Sequence, residues 1–336
     1  MYEITKKITG AHEEGIWCVS WKGDTVATGG MSSKVKTWCK ILTLLHSTLS
    51  LSLRNATSTN FLTDRKTFTN HTLGVSSLDI DENCQNFVTS GLDSHVRLWN
   101  LTDNTLSKDI DVGPLGTWST AFSPKGDIFV TVSQKGAVNI WSSKTGDKIR
   151  TFQTGTPSKV SILNATYSPK DNHIACAGSD GVVSIYDVET GKRVNNFNAH
   201  STSIRSICYS PDGATIFTAS EDTQIRISDP LSSSGSIASF QGHSSWVLSV
   251  ACSNDGKKIA SGSSDRRVKI WDISTRKCDH TFQDHADQVW GVAWSPDGSK
   301  LVSVSDDCKP FIQFTLLRKI GAVKHICHSS YSGWQE

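Results

Sequence analysis

The strongest constraint in this chain is a spacing. His71 precedes Trp99 by 28 residues, and His243 precedes Trp271 by the same number. His200 and Ser228, and His285 and Gln313, repeat that interval. Gly113 to Trp141 and Ser158 to Tyr186 are weaker copies, and His12 to Trp38 is two residues shorter. The closing positions 38, 99, 141, 186, 228, 271 and 313 follow one another at 61, 42, 45, 42, 43 and 42 residues. A chain that repeats at this period is built from small supersecondary units. None of them can bury its faces alone, so neighbouring units must supply the core.

Each unit reads as strands. VLSVAC, KIASGS and RVKIWD are short runs rich in β-branched and apolar residues. Tight turns separate the first two: SPKG at Ser123, SPKD at Ser168, SPDG at Ser210, SNDG at Ser253 and SPDG at Ser295. Proline presets φ at the second turn position, and glycine relieves crowding later. The expected fold is all-β: a seven-bladed β-propeller of four-stranded antiparallel blades. EITKKI (Glu3 to Ile8) matches the fourth strand of later units but has no earlier strands beside it. It is expected to complete the blade begun by Val289 to Phe314, closing the ring and covering an open edge.

Four chemical types recur in fixed register. A Ser or Thr stands ten residues before the aromatic, and an Asp six before it, as at Asp93, Asp180, Asp222, Asp265 and Asp307. Two units hold all four members: His71–Thr89–Asp93–Trp99 and His243–Ser261–Asp265–Trp271. His, Asp and Ser are also the members of a hydrolase triad. A triad occurs once per site with an exposed nucleophile, whereas this set recurs and decays from unit to unit. The expected role is structural: Trp N–H to hydroxyl, hydroxyl to imidazole, imidazole to carboxylate, pairing every buried polar group.

Two segments break the frame. The long step from Trp38 to Trp99 places an irregular insertion at about 40–66, and TDRKTF (Thr63 to Phe68) is expected to restore the fourth strand. After Asp307 the expected third strand is CKPFIQF, with Pro310 inside it. The propeller is expected to span 1–314 and a tail outside it 315–336. His325, Cys327 and His328 in that tail match no familiar zinc spacing.

Charge and cysteines narrow the function. Lys+Arg is 34 and Asp+Glu 32, a net charge of +2, which argues against a general nucleic-acid footprint. RNA contact is expected to be indirect. The nine cysteines are odd in number and scattered without a C-x-x-C, which fits reduced thiols in the cytoplasm and nucleus. The N-terminus has no secretory pattern. The run Ile41 to Leu53 is too short and polar to span a bilayer. No P-loop, H-E-x-x-H or G-x-S-x-G occurs, so no enzyme, cofactor or metal is expected.

Gly242-His243 with Trp271-Asp272 resembles the WD repeat, a family of β-propellers. DSHVRLWNL (Asp93), DVGPLGTWSTAFSPKG (Asp111), AHSTSIRSICYSPDG (Ala199) and the run from Ser263 to Val304 are similar to the WD-repeat subunits of superkiller (Ski) complexes. That resemblance covers about residues 16–36 and 72–307. It implies a non-catalytic scaffold, a monomeric propeller within a complex. The implied partners are a tetratricopeptide scaffold and a helicase that feed the exosome in 3′-to-5′ mRNA decay. It also implies a place in the polymerase-associated factor complex, linked to transcription elongation and histone modification. The alternative is an adaptor of another complex, a ubiquitin ligase or chromatin regulator. Five residues after each His position stand Trp17, Ser76, Trp118, Leu163, Arg205, Leu248 and Trp290. Trp and Arg dominate binding hot spots, so Trp17, Trp118, Arg205 and Trp290 are expected to bind partners, with Trp246 and Glu221 beside them.

Overall fold

The computed structural model describes residues 2–8, 11–40, 62–113, 117–153, 160–170, 172–232, 235–307 and 314–319. They form an all-β propeller of four-stranded antiparallel blades. Six sheets are runs of four consecutive strands; their innermost strands are Ile16–Lys22, Val75–Ile80, Thr117–Phe122, Ile162–Tyr167, Ile204–Tyr209 and Val247–Cys252. These are blades one to six below. A further sheet is composite: Val289–Trp294, Lys300–Ser305 and Phe314–Lys319, with Tyr2–Ile8 on its outer edge.

Burial grades from the axis outward, and residue choice follows it. Second strands are buried on both faces, as in Thr25–Gly30 and Asn86–Gly91, and carry Val, Ala, Phe and Gly. Outer strands alternate exposed and half-buried, as in Thr105–Asp111. The core lies between blades. Phe68 of blade one meets Trp99 of blade two edge-on, ring centres 4.9 Å apart. Phe240 of blade five meets Trp271 of blade six at 5.7 Å. Aromatic pairs of this kind add about 0.5–1.5 kcal/mol beyond the area they bury.

Inner strands are also stapled to the next blade. The Thr120 N–H donates to Ser77 Oγ at 3.1 Å, Val250 N–H to Ser206 Oγ at 3.2 Å and Val292 N–H to Ser249 Oγ at 3.1 Å. The Phe122 N–H donates to the Asp79 carboxylate at 2.9 Å. The tight turns form as the sequence predicts: Gly213 N–H donates to Ser210 O at 2.9 Å, and Gly213 holds φ at +72°, which only glycine adopts cheaply.

Leu62–Phe68 is the fourth strand of blade one and pairs with Val35–Lys40. Residues 41–61, the heart of the insertion, lie outside the described residues. The third strand of the composite sheet differs from expectation. It is Phe314–Lys319, with Leu301 opposite Leu317. In blade six the equivalent pair is Ile259 and Trp271, so Leu317, not Gln313, takes the register of the aromatic. The frame has slipped by four residues. Residues 308–313 and 320–336, with His325, Cys327 and His328, lie outside the described residues.

Candidate functional site

The recurring polar residues meet inside each blade. The Trp99 indole N–H donates to Thr89 Oγ1 at 2.9 Å, and that oxygen lies 2.8 Å from His71 Nε2. His71 Nδ1 lies 3.0 Å from Asp93 Oδ1. In the second complete set Trp271 Nε1 donates to Ser261 Oγ at 2.9 Å, His243 Nε2 lies 2.7 Å from it, and His243 Nδ1 lies 2.8 Å from Asp265 Oδ2. With a neutral imidazole, Nδ1–H donates to the carboxylate and Nε2 accepts from the hydroxyl; at His71 the Arg97 guanidinium also stands 2.6 Å from Nδ1 and donates to the same carboxylate at 2.8 Å.

Incomplete sets keep what they can. His200 holds Thr218 and Asp222, each at 2.8 Å. His285 holds Ser303 at 2.8 Å. His12 Nε2 meets Thr28 at 2.9 Å, the Trp38 N–H donates to Thr28 at 3.0 Å, and Ser32 fills the aspartate's place at 3.1 Å from Nδ1. Ser32 was readable from its place six residues before Trp38, but only Asp was sought there.

Electrostatics fits this riveting role. Burial pushes His71, His200 and His243 below the ordinary histidine range, against the pull of their aspartates. Burial, helped by Lys36 and Lys34, takes His12 to about 3. Burial alone would raise Asp265, but the His243 hydrogen bond and backbone N–H donors hold it at about 2. Asp93 is likewise held at about 2, against its burial, chiefly by Arg97. Thr89 and Ser261 are wholly buried. Each hydroxyl accepts from an indole and has no open side for a substrate, so these sets lack the access a nucleophile needs.

The binding residues expected from sequence share one backbone feature. Every inner strand carries a bulge, and the residue left out of the ladder is Trp17, Ser76, Trp118, Leu163, Arg205, Leu248 or Trp290. A bulge re-aims a side chain away from the pleat. All seven line one central cavity of about 760 Å³. Trp118 is 39% exposed. The Trp290 indole N–H is buried with no acceptor among the described residues.

Trp246 and Glu221 do not line the cavity but hold Arg205 in place. Arg205 Nε donates to Glu221 Oε1 at 2.7 Å, and its guanidinium lies 5.8 Å from the centre of the Trp246 ring. Trp246 itself is 47% exposed. Sequence reasoning missed Leu92, an exposed lining residue, and Leu73 and Met31, exposed on flanking loops. Single apolar residues in loops carry no period to find them by. Gly74 was also missed. A Cβ there would come 2.8 Å from Trp17 Cζ3, so glycine leaves room for that ring.

The description "WD domain, G-beta repeat" matches residues 4–39, 62–100, 191–229, 234–272 and 276–310, more than half of the chain. The chain belongs to the WD-repeat family. The WD40 domain of anaphase-promoting complex subunit 4 matches residues 121–207. This WD-repeat chain is 49% identical over 134 residues to Superkiller complex protein 8 of Dictyostelium discoideum, a stretch covering 40% of each chain. It is 34% identical over 225 residues to WD repeat-containing protein SL1-17 of Schistosoma mansoni, covering 65% of this chain and 68% of that one. WD repeat-containing protein VIP3 of Arabidopsis thaliana is 31% identical over 159 residues, covering 45% and 44%. WD-repeat propellers are protein-interaction scaffolds, and the rank of bulged residues sets three Trp and one Arg of this one around the central cavity.

Proposed function

We propose that this chain is the WD-repeat subunit of a superkiller complex, a non-catalytic scaffold that helps hold a tetratricopeptide protein and a helicase together. In that role it supports 3′-to-5′ decay of mRNA by the exosome in the cytoplasm and touches RNA only through its partners. In the nucleus the same surface serves a polymerase-associated factor complex. The composite sheet completes a closed seven-bladed ring, with a monomeric propeller inside the larger assembly.

One observation carries the reading. A ring of bulged residues turns Trp17, Trp118, Trp290 and Arg205 toward the central cavity, with Arg205 already fixed by Glu221 and Trp246. Rigid aromatics and an ordered arginine lose little entropy on binding, which is what makes such residues hot spots. The stretch shared with Superkiller complex protein 8 supports the choice of complex.

The test is affinity purification of the tagged full chain from cells, read by mass spectrometry. Wild type should bring down the tetratricopeptide and helicase subunits. Trp118→Ala and Arg205→Ala should lose them while melting as wild type does. Recovery of a ubiquitin ligase or chromatin regulator instead, with no superkiller subunit, would overturn the proposal.

A further inference from the structure

A second ring of bulges runs around the circumference. In the outer strands of blades one, two and six the residue skipped by the ladder is Arg65, Ser107 and Asp279. In the composite sheet it is Thr5. In blades three, four and five it is Ile149, Val194 and Ile237. These three are 55%, 48% and 56% exposed. Three consecutive blades therefore present a branched aliphatic at one structural rank, on the rim and away from the cavity.

Fixed structure joins the stripe. Asn195 Nδ2 donates to the Pro230 and Ser232 carbonyls, at 3.0 and 2.9 Å. This ties the outer strand of blade four to the loop carrying Leu231, which is 65% exposed. A Cβ on Gly191 would lie 3.1 Å from Arg150 Cδ, so the blade-four turn packs on the outer strand of blade three.

The flanks are basic. Lys148, Arg150, Lys192 and Arg193 border Ile149 and Val194 and form no ion pair among the described residues. Blade six shows the contrary solution at the same rank. There Lys258 is bound to both Asp272 and Asp279, closing the charge within the blade.

We infer that the rim of blades three to five is a second docking surface, distinct from the cavity, for an amphipathic protein segment with an apolar face flanked by Asp or Glu. Branched aliphatics bury well against an apolar ridge, and cations that form no ion pair among the described residues gain from carboxylates on its flanks; Lys148 alone of the four already rests on an aromatic ring, 4.8 Å from the centre of Trp141. A second copy of this chain fits poorly, because an isologous contact would set these cations against their own copies. Single-stranded nucleic acid fits poorly too, since such binders stack bases on aromatics and the stripe is aliphatic.

The experiment uses the full chain and two synthetic amphipathic helices, identical in their leucine face, one flanked by Glu and the other by Lys. A uridine oligonucleotide serves as the rival probe. The Glu helix should bind, weaken with added salt, and lose about tenfold affinity to the variant Ile149→Ser/Val194→Ser/Ile237→Ser. Lys192→Ser/Arg193→Ser should weaken it about threefold or more, and Trp118→Ala should leave it unchanged. That last arm separates this surface from the cavity. Equal binding of both helices, wild-type binding by the triple variant with unchanged melting, or displacement by the oligonucleotide overturns the inference. Hydroxyl-radical footprinting of the assembly purified from cells is the second readout: Ile149, Val194 and Ile237 should be protected, and full reactivity at all three overturns it.

Discussion

The Trp141 indole N–H donates to Thr131 Oγ1 at 2.9 Å in a blade that has no histidine in the repeat frame. The indole–hydroxyl contact therefore outlives the rest of the set. The hydroxyl is its hinge, common to the donor on one side and the imidazole on the other.

Removing that hinge should cost most where the set is complete. In Ser261→Ala the Trp271 N–H and His243 Nε2 both lose their partner in a dry interior. Each unsatisfied buried group costs about 1–3 kcal/mol. Thr131→Ala strands one donor instead of two. Urea or thermal unfolding should show Ser261→Ala as the less stable variant. Equal loss in both would mean the histidine adds nothing.

Acid should weaken the fold early. Burial keeps His12, His71, His200 and His243 neutral, well down at about 3 for His12. Unfolded histidine protonates near about pH 6.5, so below that the unfolded chain holds more protons and stability falls with pH. Asp93 and Asp265, held at about 2, add a second loss as pH drops from about 4 toward 2. Melting temperature should be level above neutrality and decline continuously below about pH 6.5. A rise between pH 7 and 5 would contradict the neutral tautomer.

Gly91 should tolerate no side chain. A Cβ there would sit 2.3 Å from His71 Nδ1 and 2.4 Å from Asp93 Oδ1, wedging into the pair. Overpacking of this kind costs about 1–3 kcal/mol. Gly178→Ala meets Asp180 Oδ1 at 2.3 Å, but in a blade whose hydroxyl is replaced by Cys176. The Gly91→Ala protein should melt lower than the Gly178→Ala protein, by differential scanning fluorimetry.

Deleting residues 2–8 should expose the long edge of Phe314–Lys319, which they cover in register from Tyr2–Lys319 to Ile8–Phe314. Open edges invite pairing with other chains. Size-exclusion chromatography should show dimers or larger species, and melting should fall. A stable monomer would show that the strand is dispensable.

The blade frame was legible because packing between sheets demands the same residue at the same rank. The His, hydroxyl and aromatic positions recur for that reason. The rank of Trp17 and Trp118 was legible by counting from each histidine; its cause, a skipped ladder position, was not. The outer bulges left no trace, since Thr5, Arg65, Ile149 and Asp279 share no chemistry and only pairing register unites them. The slip from Gln313 to Leu317 was hidden because Leu317 gives no polar signature.

The composite sheet also sets an order of events. Tyr2–Ile8 leaves the ribosome ahead of every other strand described, yet its partner Phe314–Lys319 is the last of them to be made. The earliest strand must wait, unpaired, through synthesis of six whole blades. Circular integrity then becomes a test of translation: a message cut short anywhere before residue 314 yields an open coil of blades with its clasp hanging loose, the kind of product that chaperones retain and proteases remove.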